Sequence, residues 1–88
     1  MDEQYKRIIE EIQQEVKNFQ NRVEPLTTQA KEIVLDVKDQ TMVQVNRVLA
    51  LANAKLDQIN DPVQRKRILD LTQQRIHELL NQAQHELQ

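Results

Sequence analysis

Asn60-Asp61-Pro62, set between Leu56-Asp57-Gln58-Ile59 and Val63-Gln64-Arg65-Lys66, is the punctuation that decides the fold of this chain. Asn tolerates the left-handed conformation that closes a helix. Asp caps the following helix by accepting from its unpaired N–H groups, and Pro suits the first helical position because its missing donor has no partner there anyway. The triplet predicts one helix ending near Ile59 and another starting at Pro62, folded back on each other as a helical hairpin.

Downstream, Leu69, Thr72, Ile76, Leu79, Leu80, Ala83 and Leu87 recur at helical spacing and give the third helix one apolar face, over residues 62–87. Upstream, the second helix carries Val37, Thr41, Val45, Val48, Ala52, Leu56 and Ile59. Several of its steps are of four residues, the kind of insertion that relaxes a left-handed supercoil toward a straight helix. The first segment places Tyr5, Ile9, Ile12, Val16, Phe19 and Val23 at alternating steps of four and three, with Ile8 widening the face. That heptad seam predicts an amphipathic helix over residues 3–24, with Asp2 as its N-cap.

Pro25 is the ambiguous break. We read it as the first position of the second helix, spanning 26–59, with Thr27 or Thr28 as fallback caps. The heptad nonetheless runs on through Leu26, Ala30, Ile33 and Val37, which leaves a kinked continuous helix as the alternative. With tight turns at both breaks, three layers are expected: Val16 with Val34 and Leu87, Ile9 with Thr41 and Leu80, and Tyr5 with Val45 and Ile76. The second helix would then outrun each neighbour at one end. The expected fold is all-α, one antiparallel up-down-up three-helix bundle over residues 1–88.

Composition agrees and narrows function. The 88 residues contain no glycine and no cysteine, and Pro25 and Pro62 are the two prolines. Without glycine there can be no phosphate-cradling loop or dinucleotide-binding fingerprint of the usual kind. A net charge of −2 with Tyr5 and Phe19 as the aromatic residues argues against nucleic acid, whose binders present basic surfaces and stacking rings. No apolar stretch nears the ~20 residues that span a bilayer. Met1-Asp2-Glu3-Gln4-Tyr5-Lys6 lacks the basic and apolar regions of a signal peptide, so a soluble cytoplasmic chain is expected. With neither Ser nor Cys, the common nucleophile arrangements are missing. Glu10-Glu11 falls on a polar face. The chain is expected not to be an enzyme, and no cofactor or small-molecule ligand is evident.

Three features carry candidate chemistry. His77-Glu78-Leu79-Leu80-Asn81 stops one residue short of a zinc-protease helix, since Asn81 stands where the second His belongs. Asp70, Gln74, His77, Asn81 and His85 form instead one polar stripe, expected to be solvated. Arg65-Lys66-Arg67 puts three cations in the first turns of a helix, against its dipole. It reads as a solvated charge run or, more sharply, as a binding site. Thr41 and Thr72 interrupt aliphatic seams. Each can bond back to a carbonyl one turn earlier, or the two can form a register-fixing polar pair.

Residues 39–79 resemble the BAG domain, a three-helix co-chaperone module that binds the ATPase domain of the large heat-shock chaperone and promotes nucleotide release. The resemblance rests on Asp39, Met42, Val45 and Leu49 leading to Leu56-Asp57-Gln58-Ile59, then on Arg65-Lys66 and Gln73. It implies a protein-binding site made of Asp57, Arg65, Lys66 and Gln73. The chain departs from the family at Arg47, where an acid is usual, at Asn53-Ala54 in place of a leucine pair, and in a shorter inter-helix connection. In style, a glycine-free chain with an Asp-Pro helix start also resembles computationally designed helical bundles, although its Asn and Val content is more like a natural chain. The expected function is that of a non-enzymatic scaffold or protein-interaction module, working through a protein partner or by self-association. The alternatives are a BAG-type chaperone regulator and a lipid-surface-binding amphipathic bundle, the last disfavoured by the scarcity of aromatics.

Overall fold

The computed structural model describes residues 2–25 and 31–87. Three helices account for nearly all of them: α1 (Asp2–Val23), α2 (Lys31–Gln58) and α3 (Pro62–Glu86). No strand occurs among the described residues.

The hairpin turn is built as its residues dictate. Asp61 is extended at φ −70° and ψ 121°, and its Oδ1 accepts from the Val63 N–H at 3.1 Å, with Pro62 opening α3. Asn60, however, does not close α2 in a left-handed conformation, because no described residue has a positive φ. The helix tightens instead through an Ile59 N–H bond to the Leu56 carbonyl at 3.4 Å. A side chain from α3 completes the closure.

At Pro25 the expectation needs correction. Glu24 and Pro25 form a short 3₁₀ turn that prolongs α1. Proline cannot donate to the carbonyl four residues back and disfavours the α conformation of the residue before it, so the α-helix stops at Val23. The expected start of helix two at residue 26 and the caps Thr27 and Thr28 lie outside the described residues. The kinked continuous helix also turns on residues 26–30, outside the described residues, but α1 and α2 do not lie end to end. At ~1.5 Å per residue α1 and α2 end to end would span roughly 75 Å, whereas the longest dimension of the molecule is 48 Å.

α3 occupies the middle. It packs extensively against both α2 and α1, which approach each other far less. Its apolar face supplies Leu69, Ile76, Leu79, Leu80 and Ala83 to the core. Facing it are Ile8, Ile12, Phe19 and Val23 from α1, and Val34, Val45 and Leu56 from α2, all in one continuous cluster. Phe19 is fully buried, and as the one large ring in that core it fills more volume than any aliphatic neighbour.

The helix directions are up-down-up, but α1 sits at a different height from that expected. Three cross-bonds between α1 and α3 join residues 62 apart: Glu11 with Gln73, Glu15 with His77, Arg22 with Gln84. The expected layers needed Ile9 beside Leu80, a separation greater by about two and a half turns. On the other side, the Gln20 amide reaches Met42 Sδ at 3.8 Å, and Val16 lines one groove with Val45 and Leu49, not with Val34. Against α3, α2 lies close to its expected register, with Thr41 lining a groove beside Leu79 and Ala83. The tight-turn assumption at Pro25 thus misplaced one helix.

Thr72 Oγ1 donates to the Ile68 carbonyl at 2.6 Å, the back-bond its position allows. Thr41 borders a polar groove with Gln40, Gln44 and Gln82. The two threonines are therefore not a register-fixing pair. Among the described residues no buried side-chain polar atom lacks a partner.

Replacing Phe19 by Ala should cost ~3–5 kcal/mol, the usual range for truncating a buried aromatic, read from denaturant melts. Val45→Pro should unfold the chain largely, since it removes a donor, adds a backbone clash and deletes a core side chain at ~3 kcal/mol or more. Pro62→Ala should melt near the parent. Equal melting of the Val45 and Pro62 variants would contradict the single unbroken α2.

Candidate functional site

Arg65 is the first residue whose environment departs from the sequence expectation. It is neither free nor solvated. Its Nη1 donates to the Leu56 carbonyl at 2.5 Å and to the Ile59 carbonyl at 2.9 Å, and its guanidinium lies 5.8 Å from the centroid of the Tyr5 ring. A cation near the N-terminus of its own helix is unfavourable, yet here it faces the C-terminal carbonyls of α2, where the dipole favours it. The five-donor fork suits two carbonyls at once, and the Tyr5 face adds ~0.5–1 kcal/mol of cation–π attraction.

The other three residues implied by the BAG resemblance are dispersed. Gln73 is half-buried and donates to Glu11 Oε2 at 2.9 Å on the α1 side. Lys66 is exposed and sits 3.8 Å from Asp70, an i,i+4 surface pair worth at most ~1 kcal/mol. Asp57 is exposed in the last turn of α2, with no bond to the other three. Arg65 and Gln73 thus bond to the neighbouring helices, whereas Lys66 and Asp57 face solvent.

The His77 stripe remains exposed at Asp70, Gln74, His77, Asn81 and His85. His77 does more than face water. Its Nδ1 lies 2.8 Å from Glu15 Oε1, and its Nε2 lies 3.0 Å from Asn81 Nδ2. The arrangement that satisfies all three side chains has Asn81 donating to Nε2 and Nδ1–H donating to Glu15. The imidazole is a strut between α3 and α1. Among the described residues no three His, Cys, Asp or Glu side chains gather closely enough to hold a metal ion.

The surface that sequence reading passed over is apolar. Leu51 and Leu71 are 60% and 58% exposed, Val63 is 76%, and Val43 and Ile33 are also largely open. All five lie on α2 or α3. Leu51, Leu71, Val48 and Ile68 line a groove between those helices, with Lys55 and Arg75 at its edges. Leu71 continues onto the outer face of α3, shared with Pro62, Val63, Lys66 and Arg67. The signal was present in the sequence: Val43, Leu51, Val63 and Leu71 fall outside the heptad seams, so burial against the bundle could never account for them. Along the same inter-helix groove toward the other end of the molecule, Gln40, Gln44 and Gln82 replace the aliphatic lining.

No protein-family model matches the chain, and no curated protein or solved structure is similar to it. Among the described residues, no helix is long and apolar enough to cross a membrane.

Arg65→Ala should lower the melting temperature by several degrees, because the last carbonyls of α2 lose two donors at ~1–2 kcal/mol. Arg65→Lys should recover only part of that loss, since an ammonium lacks the planar fork. His77→Ala should cost under ~0.5 kcal/mol as an exposed substitution. Thermal melts of the three variants check the ranking, and a neutral Arg65→Ala would mean the guanidinium does not secure the turn.

Proposed function

We propose that this protein is a non-enzymatic interaction module, a three-helix bundle that presents the outer faces of α2 and α3 to a protein partner. One observation carries this reading. Among the described residues the large exposed aliphatic side chains all belong to α2 and α3, so these two helices carry aliphatic side chains outside their core-facing stripes as well as within them. Scattered exposed aliphatics are ordinary, but a contiguous patch on a small domain marks an interaction surface. The composition points the same way, since neither Ser nor Cys is present to act as a nucleophile.

A BAG-type chaperone regulator draws less support. Two of the four residues it would use, Arg65 and Gln73, are engaged in bonds to α2 and α1. A partner would first have to break those bonds.

The test is differential retention. The parent and a variant with Leu51, Val63 and Leu71 each changed to Gln are immobilised and compared as bait, after circular dichroism establishes equal helicity. A protein retained by the parent and lost with the variant is the expected outcome. Identical retention profiles would defeat the proposal.

A further inference from the structure

We infer that the half of the α2–α3 surface next to the Asn60-Asp61-Pro62 turn takes an acidic amphipathic helix from the partner. This rests on the interaction-module reading and makes it specific. Three properties of the surface select that occupant.

The first is the floor. Leu51 and Leu71 stand exposed on either side of a groove whose base is half-buried Val48 and Ile68. This is the concave aliphatic seat that the apolar face of a helix fills with side chains one turn apart. Both groove walls are helices with their backbone groups already bonded within themselves. Strand addition is therefore unavailable, and recognition runs through side chains.

The second is the rim. The groove and the adjoining outer face of α3 are lined by four cations, Lys55, Lys66, Arg67 and Arg75, against one carboxylate, Asp70. The chain as a whole carries −2, so the excess of cations on this surface runs against the overall charge. Asp70 lies 3.8 Å from Lys66, and Glu78 lies 3.5 Å from Arg75 just outside the groove. Lys55 and Arg67 have no ion-pair partner among the described residues. An aliphatic floor with a basic rim complements a helix carrying Leu or Ile on one face and Glu or Asp beside it.

The third is the boundary. Farther along the groove, glutamines replace aliphatics and cations are fewer. The apolar, basic part spans residues 62–75 of α3, about 20 Å at helical rise, which fits a bound helix of three to four turns.

The same charges argue against other occupants. A second copy docked through this face would oppose one basic rim to another across a two-fold axis. A membrane surface would demand a broad basic face with aromatic anchors, and this surface has no aromatic residue. The groove between α1 and α2, around Met42, Val16 and Leu49, has Lys17 as its charged residue and offers no comparable charge selection.

The experiment titrates the isotopically labelled full chain with a synthetic helical peptide that has Leu on one face and Glu and Gln on the other. Two comparison arms use the same peptide with Lys for Glu, and vesicles of phosphatidylcholine with phosphatidylserine. The Glu peptide should shift amides within 48–55 and 63–75, with a dissociation constant on the order of 10–100 μM and marked weakening by salt. The Lys peptide should leave the spectrum unchanged. Leu71→Gln and Arg67→Gln, both at exposed positions, should each weaken binding about tenfold while preserving helicity. Equal binding of the two peptides, binding to vesicles alone, or no binding by the Glu peptide would overturn the inference. Shifts confined to the α1–α2 groove around Met42 would also overturn it while leaving the module reading intact. That reading falls separately if the bait comparison shows no differential retention.

Discussion

Two side chains acting in opposite directions across four residues of backbone hold the turn on which this bundle depends. Asp61 accepts from the start of α3, and Arg65 donates into the end of α2. Each helix terminus leaves unpaired backbone groups of one polarity, and each is met here by a side chain of the other. The turn needs no glycine because Arg65 supplies donors that a left-handed closing residue would otherwise have brought from the backbone. Tyr5, lying against the same guanidinium, brings the start of α1 to this point as well. All three helices therefore meet at one residue.

The architecture was legible because it depends on angular information. Which face of a helix is buried follows from spacing alone, and the buried members of the α3 core (Leu69, Thr72, Ile76, Leu79, Leu80 and Ala83) were all assigned to its inner face by periodicity. The height of α1 was not legible, because a heptad seam looks similar when shifted by whole turns. That height is marked by discrete polar pairs, Glu11–Gln73, Glu15–His77 and Arg22–Gln84, whose residue types are common on any helix surface. Pro25 added to the error. It terminates an α-helix by the same steric rule that lets it begin one, and sequence does not say which.

The candidate surface was half legible. The cluster Arg65-Lys66-Arg67 stood out as three cations in an unfavourable place, but its members divide. Arg65 turns inward to neighbouring carbonyls, while Lys66 and Arg67 remain on the outside beside Val63 and Leu71. Adjacent helical residues point about 100° apart, so a run of like charge can serve two purposes at once. The aliphatic residues outside the seams were visible as residues, and only the packed structure distinguishes those left open from Ile68, which is half-covered.

The central position of α3 has a consequence for how the chain folds. The α2–α3 hairpin closes across a turn of a few residues, whereas α1 finds α3 through contacts separated by 62 residues. Chain-closure entropy makes the near pairing fast and the distant one slow. Until α1 arrives, Ile76, Leu80 and their neighbours have one flank open to solvent, and the parallel α1–α3 pairing leaves them accessible to the first helix of another molecule. Domain exchange through α1 is thus the misassembly route that this order of events leaves open, and Phe19, the bulkiest group α1 delivers to the core, is the side chain whose late burial closes it.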